Sequence, residues 1–262
     1  MDKMEVIKNI SNRTGGDIYL GVVGGVRTGK STFIKKVIEN LVVPYIDDEY
    51  ERKRALDEIP QSSGGKTIMT IEPKFVPTNA AKINIDDFSC NIRLIDCVGY
   101  VIDNAKGAED EEGPRMVKTP WYDEEIPFVE AAEIGTEKVI KDHSTIGIVM
   151  TTDGSIGEFD RKDYLEAENR VISELKEIGK PFIVILNTTH PTLPETERLA
   201  ESIREEYSVP VLPISVETMT DKDITNILRE ALYEFPVIEV NVNMPEWIAI
   251  LNSDNPIKKQ YI

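Results

Sequence analysis

A glycine-rich loop near the start of the chain carries the residue types that bind nucleoside triphosphates. Residues 24–31 read Gly-Gly-Val-Arg-Thr-Gly-Lys-Ser, which is the Gly-x-x-x-x-Gly-Lys-Ser pattern. The glycines let backbone N–H groups surround phosphates at the positive end of a following helix. We expect Lys30 to neutralise the β- and γ-phosphates and the Ser31 hydroxyl to ligate Mg²⁺. The predicted nucleotide-contacting residues of this loop are Gly24, Gly25, Val26, Arg27, Thr28, Gly29, Lys30, Ser31 and Thr32.

A second motif, an aspartate that ends an apolar strand, fits the same chemistry. Residues 93–99 read Arg-Leu-Ile-Asp-Cys-Val-Gly, so that Asp96 closes the apolar run and Gly99 follows shortly after. In P-loop proteins such an aspartate holds Mg²⁺, and the N–H of the glycine contacts the γ-phosphate. We therefore assign Asp96 to the metal and Gly99 to the nucleotide.

A threonine between these two motifs completes the predicted magnesium site. Residues 65–73 read Gly-Lys-Thr-Ile-Met-Thr-Ile-Glu-Pro, where GTPase-like proteins place a threonine on Mg²⁺ and the γ-phosphate. Thr70 is our choice because it leads into the next strand, and Thr67 is the alternative. The predicted metal ligands are Ser31, Thr70 and Asp96.

The residues expected at the base differ from those of a GTPase. After the apolar run 182–186, a GTPase carries Asn-Lys-x-Asp, whose aspartate accepts hydrogen bonds from guanine, but residues 187–190 here read Asn-Thr-Thr-His. Loss of such a buried hydrogen-bonding partner changes selectivity by about 10⁴-fold. We therefore predict ATP rather than GTP, with Asn187, Thr188 or the backbone near Ser215 and Val216 contacting adenine.

Arg27 is a candidate catalytic residue because it lies inside the phosphate-binding loop. Its guanidinium would fold over the phosphates and stabilise the transition state, as an arginine finger does. The guanylate-binding proteins carry a similar Arg-Thr-Gly-Lys-Ser run, and this resemblance implies that the arginine acts when subunits associate. The alternative is an ordinary solvated arginine. The predicted catalytic set is Lys30, Thr70, Asp96 and Arg27.

The group that orients the attacking water is left open by the sequence. GTPases of the Ras type place a glutamine after the glycine of the second motif, but Tyr100 and Val101 follow Gly99 here. The two histidines, His143 and His190, stand far apart in the sequence and suggest no catalytic triad.

Hydrophobic patterns supply the elements that position these motifs. An apolar run at 17–23 precedes the loop, and apolar residues then recur at helical spacing from Phe33 to Leu41. Residues 74–85 and 91–97 predict two strands joined across a tight connection, which suits an antiparallel pair.

The second half of the chain alternates apolar strands with amphipathic helices. The predicted strands are 146–150, 182–186 and 211–214, and the predicted helices are 164–178, one opened by Pro194, and 224–232. This alternation predicts an α/β fold with a mostly parallel sheet, one antiparallel strand and helices on both faces. With the motifs, it assigns the chain to the P-loop NTPases of the GTPase-like (TRAFAC) class.

Two stretches without sustained periodicity are predicted to be loops. Residues 47–66 are polar and are expected to form a mobile loop. Residues 101–127 are acidic, and we interpret them as a long functional loop that presents Trp121 and Tyr122 to a neighbour. Residues 237–242 alternate as a strand does, so the nucleotide-hydrolysing domain is assigned to 1–242, with 243–262 beginning a following region that the chain does not complete.

Composition excludes several classes of function. The 262 residues include 30 Lys and Arg against 47 Asp and Glu, giving a net charge of −17, and no nucleic-acid partner is expected because phosphate backbones are bound by clustered basic residues. Cys90 and Cys97 form no disulfide or zinc pattern, which suits a reducing cytoplasm. No apolar stretch approaches the roughly 18 residues of a membrane span, so no membrane insertion is expected.

With these residues in view, the chain resembles the stage IV sporulation protein A family, the morphogenetic ATPases beneath the spore coat of endospore-forming bacteria. The matching motifs include Asp-Cys-Val-Gly-Tyr at 96–100 and Gly-Pro-Arg-Met at 113–116. The full set of matching stretches is 14–23, 27–36, 65–70, 72–77, 96–100, 113–116 and 230–236.

The resemblance implies ATP hydrolysis with Mg²⁺ that drives the protein into static polymers around the forespore. It carries Lys30 over as the Walker A lysine, Thr70 as the sensor threonine and Asp96 as the Walker B aspartate. The family's sensor threonine pair is Thr70-Ile71 here, so a single hydroxyl remains. The implied partners are further copies of the chain, other spore coat proteins and, through regions absent here, stage V sporulation protein M. The implied location is the mother-cell cytoplasm at the forespore surface.

Three other classes of function compete with this interpretation. A GTPase-type switch without polymer formation is the main alternative, and residues 187–190 disfavour it. A small-molecule kinase would need an arginine-rich lid and usually lacks the hairpin predicted over 74–97. A protein that binds nucleotide only as a structural ligand stays open, because no partner for the catalytic water is identified.

Overall fold

The fold, obtained as a computed structural model, is a central sheet flanked by helices. The structure describes residues 1–60, 73–85, 88–102, 105, 109–110, 113–236 and 255–256. The strands are β1 (Asp17–Gly24), β2 (Lys74–Ile85), β3 (Phe88–Asp96), β4 (Glu109–Asp110), β5 (Gly113–Pro114), β6 (Met116–Thr119), β7 (Tyr122–Pro127), β8 (Ile146–Thr152), β9 (Phe182–Asn187) and β10 (Val211–Ile214). The helices are α1 (Lys3–Arg13), α2 (Lys30–Val37), α3 (Glu49–Asp57), α4 (Phe128–Lys138), α5 (Leu165–Ile178), α6 (Pro194–Tyr207) and α7 (Asp221–Tyr233).

The main sheet has the strand order β10-β9-β8-β1-β3-β2. All its neighbours pair in parallel except β2, which runs antiparallel to β3 and forms one edge. The predicted α/β fold with a mostly parallel sheet and one antiparallel strand is therefore confirmed. The parallel order brings the carboxyl ends of β1, β3, β8, β9 and β10 to the same edge of the sheet.

Two layers of helices cover the faces of the sheet, as predicted. On one face, α1, α2 and α7 bury a cluster that includes Ile7, Phe33 and Ile227. On the other face, α5 and α6 bury a cluster that includes Ile172 and Ile203. Every residue of β8 and β9 is buried, because helices exclude water from both faces of these strands.

Two helices near the site carry capping residues, α5 at its C-terminus and α7 at its N-terminus. Gly179 ends α5 in the left-handed conformation, with φ of 71°. Thr220 and Asp223 form a reciprocal capping box at the start of α7. The observed helices α5, α6 and α7 agree with the predicted ones to within a few residues.

The predicted loop over 47–66 is wrong in its described part, because α3 lies within it. Asp48 caps this helix by accepting a hydrogen bond of 2.8 Å from the N–H of Glu51. Lys53 and Glu49 form an ion pair of 3.3 Å one turn apart. Only Ala55 is buried. Charge pairing and capping favour this helix without an apolar stripe, so hydrophobic periodicity could not detect it.

The long functional loop predicted over 101–127 contains short strands in its described part, so the prediction of a loop without strands is wrong there. It contains the paired short strands β4 and β5, and the hairpin of β6 and β7. Val117 of β6 packs against Phe128 of α4. Strands this short offer too few alternating positions for a period-2 pattern to stand out.

Several predictions fall outside the described residues: Thr67, Thr70, the connection at Asp86 and Asp87, and the strand at 237–242. Among the helices that the structure describes, none is long and apolar enough to cross a membrane.

Candidate active site

The glycine-rich loop connects β1 to α2 at the carboxyl edge of the sheet. Gly24 has a φ of 135°, and a Cβ there would lie 2.1 Å from the carbonyl oxygen of Met150. Gly29 has a φ of 92°, and a Cβ there would lie 2.4 Å from the amide nitrogen of Asn187. Both positions therefore require glycine for conformation and for close approach. The loop ends where α2 begins, so its N–H groups face the positive end of a helix.

Lys30 is buried and held by the loop itself. Its Nζ donates hydrogen bonds to the carbonyl oxygens of Gly25 at 2.7 Å and Gly24 at 3.4 Å. Burial lowers the pKa of Lys30, and the nearby Cys97 and Asp96 oppose this shift. Loop carbonyls carry only partial negative charge, so a phosphate is a much stronger partner for this dehydrated ammonium group.

Ser31 and Asp96, the two described residues of the predicted magnesium site, are in direct contact. The Ser31 hydroxyl donates a hydrogen bond of 2.8 Å to Oδ2 of Asp96. The other carboxylate oxygen, Oδ1, is buried and has no hydrogen-bond partner among the described residues. Burial raises the pKa of Asp96, while Lys30, Ser31 and Lys74 lower it. A buried carboxylate oxygen without a donor is suited to a cation or to water bound to one.

These donors fit Mg²⁺ rather than a transition metal. Mg²⁺ prefers oxygen ligands, and in nucleotide sites it takes most of them from phosphates and water. Within the described part of the chain, no cluster of three or more His, Cys, Asp or Glu side chains could hold a metal by itself. A hydroxyl and a carboxylate beside a phosphate-binding loop therefore match the donor set that Mg²⁺ needs.

The turn after Asp96 lies directly against the phosphate-binding loop. Gly99 has a φ of 87°, and a Cβ there would lie 2.1 Å from the Gly24 carbonyl oxygen and 2.5 Å from Nζ of Lys30. The backbone of Tyr100 continues the contact, because its N–H donates to the Gly24 carbonyl at 3.1 Å and its carbonyl accepts from Val26 at 2.9 Å. The two sequence motifs are thus in direct backbone contact.

Arg27 has a strained backbone conformation within the loop. Its φ of 65° is unusual for a residue other than glycine. Its side chain lies near the buried Tyr164: burial raises the pKa of Tyr164 to about 12, and the positive charge of Arg27 opposes this shift. The catalytic role of Arg27 stays a prediction.

Asn187, one of the residues predicted to contact the base, links two segments of the site through its side-chain amide, and we call this link the Asn187 brace. The Asn187 side chain donates to the Thr28 carbonyl at 3.0 Å and accepts from the N–H of Val216 at 3.1 Å. Asn187 therefore ties the phosphate-binding loop to the segment after β10. Thr188 is fully buried and donates to Asp153 at 2.6 Å. Contact between adenine and Asn187, Thr188, Ser215 or Val216 stays a prediction.

Asp153, which follows β8, is a residue of this site that the sequence analysis missed. Burial raises its pKa, but hydrogen bonds from Ser155 and Thr188 outweigh burial, so the pKa is lowered overall and the carboxylate stays ionised. The N–H of Ser155 donates to it at 2.9 Å. Polar residues that follow a parallel strand beside β1 must lie near the loop, and this rule could have found Asp153.

The fold and the site together fit a P-loop NTPase domain. A strand, a glycine-rich loop and a helix hold a buried lysine, and an aspartate-glycine turn from the neighbouring parallel strand lies beside them. The chain belongs to the stage IV sporulation protein A ATPase-domain family, because the family model described as "Stage IV sporulation protein A, ATPase domain" matches residues 1–236. The resemblance inferred from the sequence motifs is thereby confirmed.

Curated relatives agree with this family. The chain is 60% identical over 262 residues to stage IV sporulation protein A of Bacillus anthracis and, over the same length, 60% identical to that of Bacillus subtilis (strain 168). It is 53% identical over 258 residues to the protein of the same name in Clostridioides difficile (strain 630). The matches cover 100%, 100% and 98% of this chain but 53%, 53% and 52% of those proteins, so the chain spans about half the length of these relatives.

Proposed function

We propose that this domain hydrolyses ATP to ADP and phosphate with Mg²⁺, as a member of the GTPase-like (TRAFAC) class. The observation that carries the proposal is the meeting of Lys30, the Ser31–Asp96 pair and Gly99 at one helix N-terminus. The ATPase domain of the matching family supports the choice of reaction. The antiparallel edge strand β2 beside β3 supports the choice of class.

Each residue in this proposal acts on a defined part of the nucleotide. The loop N–H groups and Lys30 hold the β- and γ-phosphates, so that the transferred group is fixed in position. The Gly99 turn brings a backbone N–H toward the γ-phosphate. Ser31 and Asp96 hold Mg²⁺, which neutralises charge on the phosphate oxygens when it is bound. Thr70 is proposed as a further ligand of the same ion.

Adenine specificity is tested by comparing two substrates. The purified domain is expected to release phosphate from ATP in the presence of Mg²⁺, with a kcat/KM at least about a hundredfold above that for GTP. Chelation by EDTA and the substitution Asp96→Asn should each abolish the release, because the first removes the ion and the second removes the negative charge that would hold it. A phosphate-release assay over a substrate range measures all of these values.

Other outcomes of this assay point to the competing classes. Equal or faster turnover of GTP would contradict the base assignment and favour a GTPase-type switch without polymers. Tight ATP binding with no phosphate release would favour a nucleotide that serves only as a structural ligand.

We further propose that hydrolysis drives self-assembly into static polymers that form the basement layer of the spore coat, at the forespore surface in the mother-cell cytoplasm. The relatives' shared name, stage IV sporulation protein A, supports a role in sporulation. Proposed partners are further copies of this chain, other spore coat proteins and stage V sporulation protein M. The net charge of −17 supports the expectation of no nucleic-acid partner.

Arg27 is the residue that links hydrolysis to assembly in this proposal. Arg27→Ala is expected to lower turnover about a thousandfold, as loss of an arginine finger does, while ATP affinity changes little. In the unsubstituted domain, turnover per molecule should rise with protein concentration, and light scattering should rise with ATP but not with a non-hydrolysable analogue. The control is Arg198→Ala, which removes an exposed arginine of α6 that pairs with Glu195. An unchanged hydrolysis rate in Arg27→Ala would show that Arg27 is an ordinary surface residue.

A further inference from the structure

The residue after the Gly99 turn, Tyr100, is anchored at both its backbone and its side chain. Its backbone forms hydrogen bonds to Gly24 and Val26 of the phosphate-binding loop, at 3.1 and 2.9 Å. Its side chain is 2% exposed, and the hydroxyl donates a hydrogen bond to Glu174 of α5. The position that carries the water-orienting glutamine in Ras-type GTPases is thus occupied here by a buried ring that points into the protein.

Glu174 is itself held by a chain of charged groups. Nε of Arg170 lies 3.4 Å from the second oxygen of Glu174, and its guanidinium carbon lies 4.9 Å from the centre of the Tyr100 ring. The same guanidinium forms a two-pronged ion pair with Glu133 of α4, with one of the two contacts at 2.9 Å. Tyr100 therefore connects the phosphate-binding loop to two helices.

The hydroxyl of Tyr100 is protonated and already engaged. Burial raises the pKa of Tyr100, and the hydrogen bond to Glu174 raises it further. Because the single proton of the hydroxyl is donated to Glu174, the group has no donor for an attacking water. Its contribution must come through the position of the backbone that it fixes, and the neighbouring backbone is the Gly99 turn.

We propose that Glu174 is a positioning residue for the γ-phosphate: it holds Tyr100, which in turn holds the Gly99 turn against the phosphate-binding loop. This inference rests on the proposed ATPase function. A group that orients only the γ-phosphate contact affects nucleotides that carry a γ-phosphate and leaves ADP unaffected. That difference separates positioning from a general loss of structure, which weakens all nucleotides alike.

The test compares Glu174→Ala with Glu174→Gln, Tyr100→Phe and the control Glu177→Ala, an exposed glutamate on the same helix. Glu174→Ala leaves the buried Tyr100 hydroxyl without an acceptor. The free-energy cost of such a loss corresponds to a factor of about ten in an equilibrium constant. We expect kcat for ATP and affinity for a non-hydrolysable ATP analogue each to fall about tenfold, with ADP affinity unchanged. Glu174→Gln retains an acceptor and should stay within about twofold, because the hydrogen bond is preserved.

Tyr100→Phe tests the same hydrogen bond by removing its donor, the Tyr100 hydroxyl. It keeps the buried ring, so it should lower kcat and analogue affinity in the same direction. The double variant Tyr100→Phe/Glu174→Ala should lose no more than the larger single loss, because both changes remove one interaction. Calorimetry with ADP and with the analogue gives affinities, and phosphate release gives kcat.

Three outcomes would overturn the inference. These are equal loss of ADP and analogue affinity in Glu174→Ala, additive losses in the double variant, or a Glu177→Ala effect as large as that of Glu174→Ala. Binding is measured separately from turnover, so a domain that binds nucleotide without hydrolysing it would contradict the proposed function while the ratio of analogue to ADP affinity still decides the role of Glu174.

Discussion

Replacement of Lys30 by alanine is expected to lower ATP turnover by about a hundredfold or more, the effect of removing one preorganised electrostatic partner of a transition state. The ammonium group is buried between the Gly24 and Gly25 carbonyls, where the neighbouring backbone has already displaced water. Charge interactions are stronger in such an environment than at the surface. Alanine removes the positive charge that the phosphates would meet, and ATP affinity should fall together with turnover.

Lys35→Ala provides the matched control for this experiment. Lys35 lies on the same helix, but it is exposed and pairs weakly with Glu39 at 3.9 Å. Its loss should leave phosphate release unchanged. Turnover of Lys30→Ala within a few-fold of the original would show that the loop is not where the γ-phosphate reacts.

Gly99→Ala is expected to remove hydrolysis almost completely, by about a hundredfold, because a displacement of about 1 Å in a positioned group has effects of this size. An added Cβ would lie 2.1 Å from the Gly24 carbonyl oxygen, which is backbone and cannot move aside by rotation. The turn must therefore separate from the phosphate-binding loop. The positive φ of 87° adds strain of about 1 kcal/mol or more to the folded state.

Gly179→Ala measures the strain of a positive φ without the close contact that an added Cβ would make at Gly99. Gly179 has a comparable φ of 71°, but a Cβ there would meet no atom within 4 Å. This variant should lose about 1 kcal/mol of stability in chemical denaturation while keeping full turnover. If Gly99→Ala matched Gly179→Ala in both measurements, the close contact between the two motifs would have no catalytic importance.

Sequence reasoning succeeded where the determining interactions are local. The order of residues in the glycine-rich loop reflects backbone requirements that the structure shows directly, as at Gly29. Strand and helix patterns succeeded because burial imposes a period on consecutive residues. The helix α3 was missed because it buries little more than Ala55, so it carries no such period.

The remainder of the site depends on residues that only the fold brings together. Tyr100 and Glu174 are separated by 74 positions, and Glu174 belongs to none of the motifs. The hydrogen bonds of the Asn187 amide to Thr28 and Val216 are visible only in the structure, and its predicted contact with the base stays a prediction. Contacts of this kind follow from strand order, which hydrophobic patterns do not fix.

The Asn187 brace also has a consequence for the order in which the protein is made. Thr28 and Asn187 are 159 positions apart, and Val216 lies a further 29 positions along the chain. A ribosome therefore releases the complete phosphate-binding motif long before the amide that shapes it. Both hydrogen bonds of Asn187 can form only after β9 and the segment following β10 have been synthesised, so the phosphate-binding loop gains this support late in the synthesis of the domain.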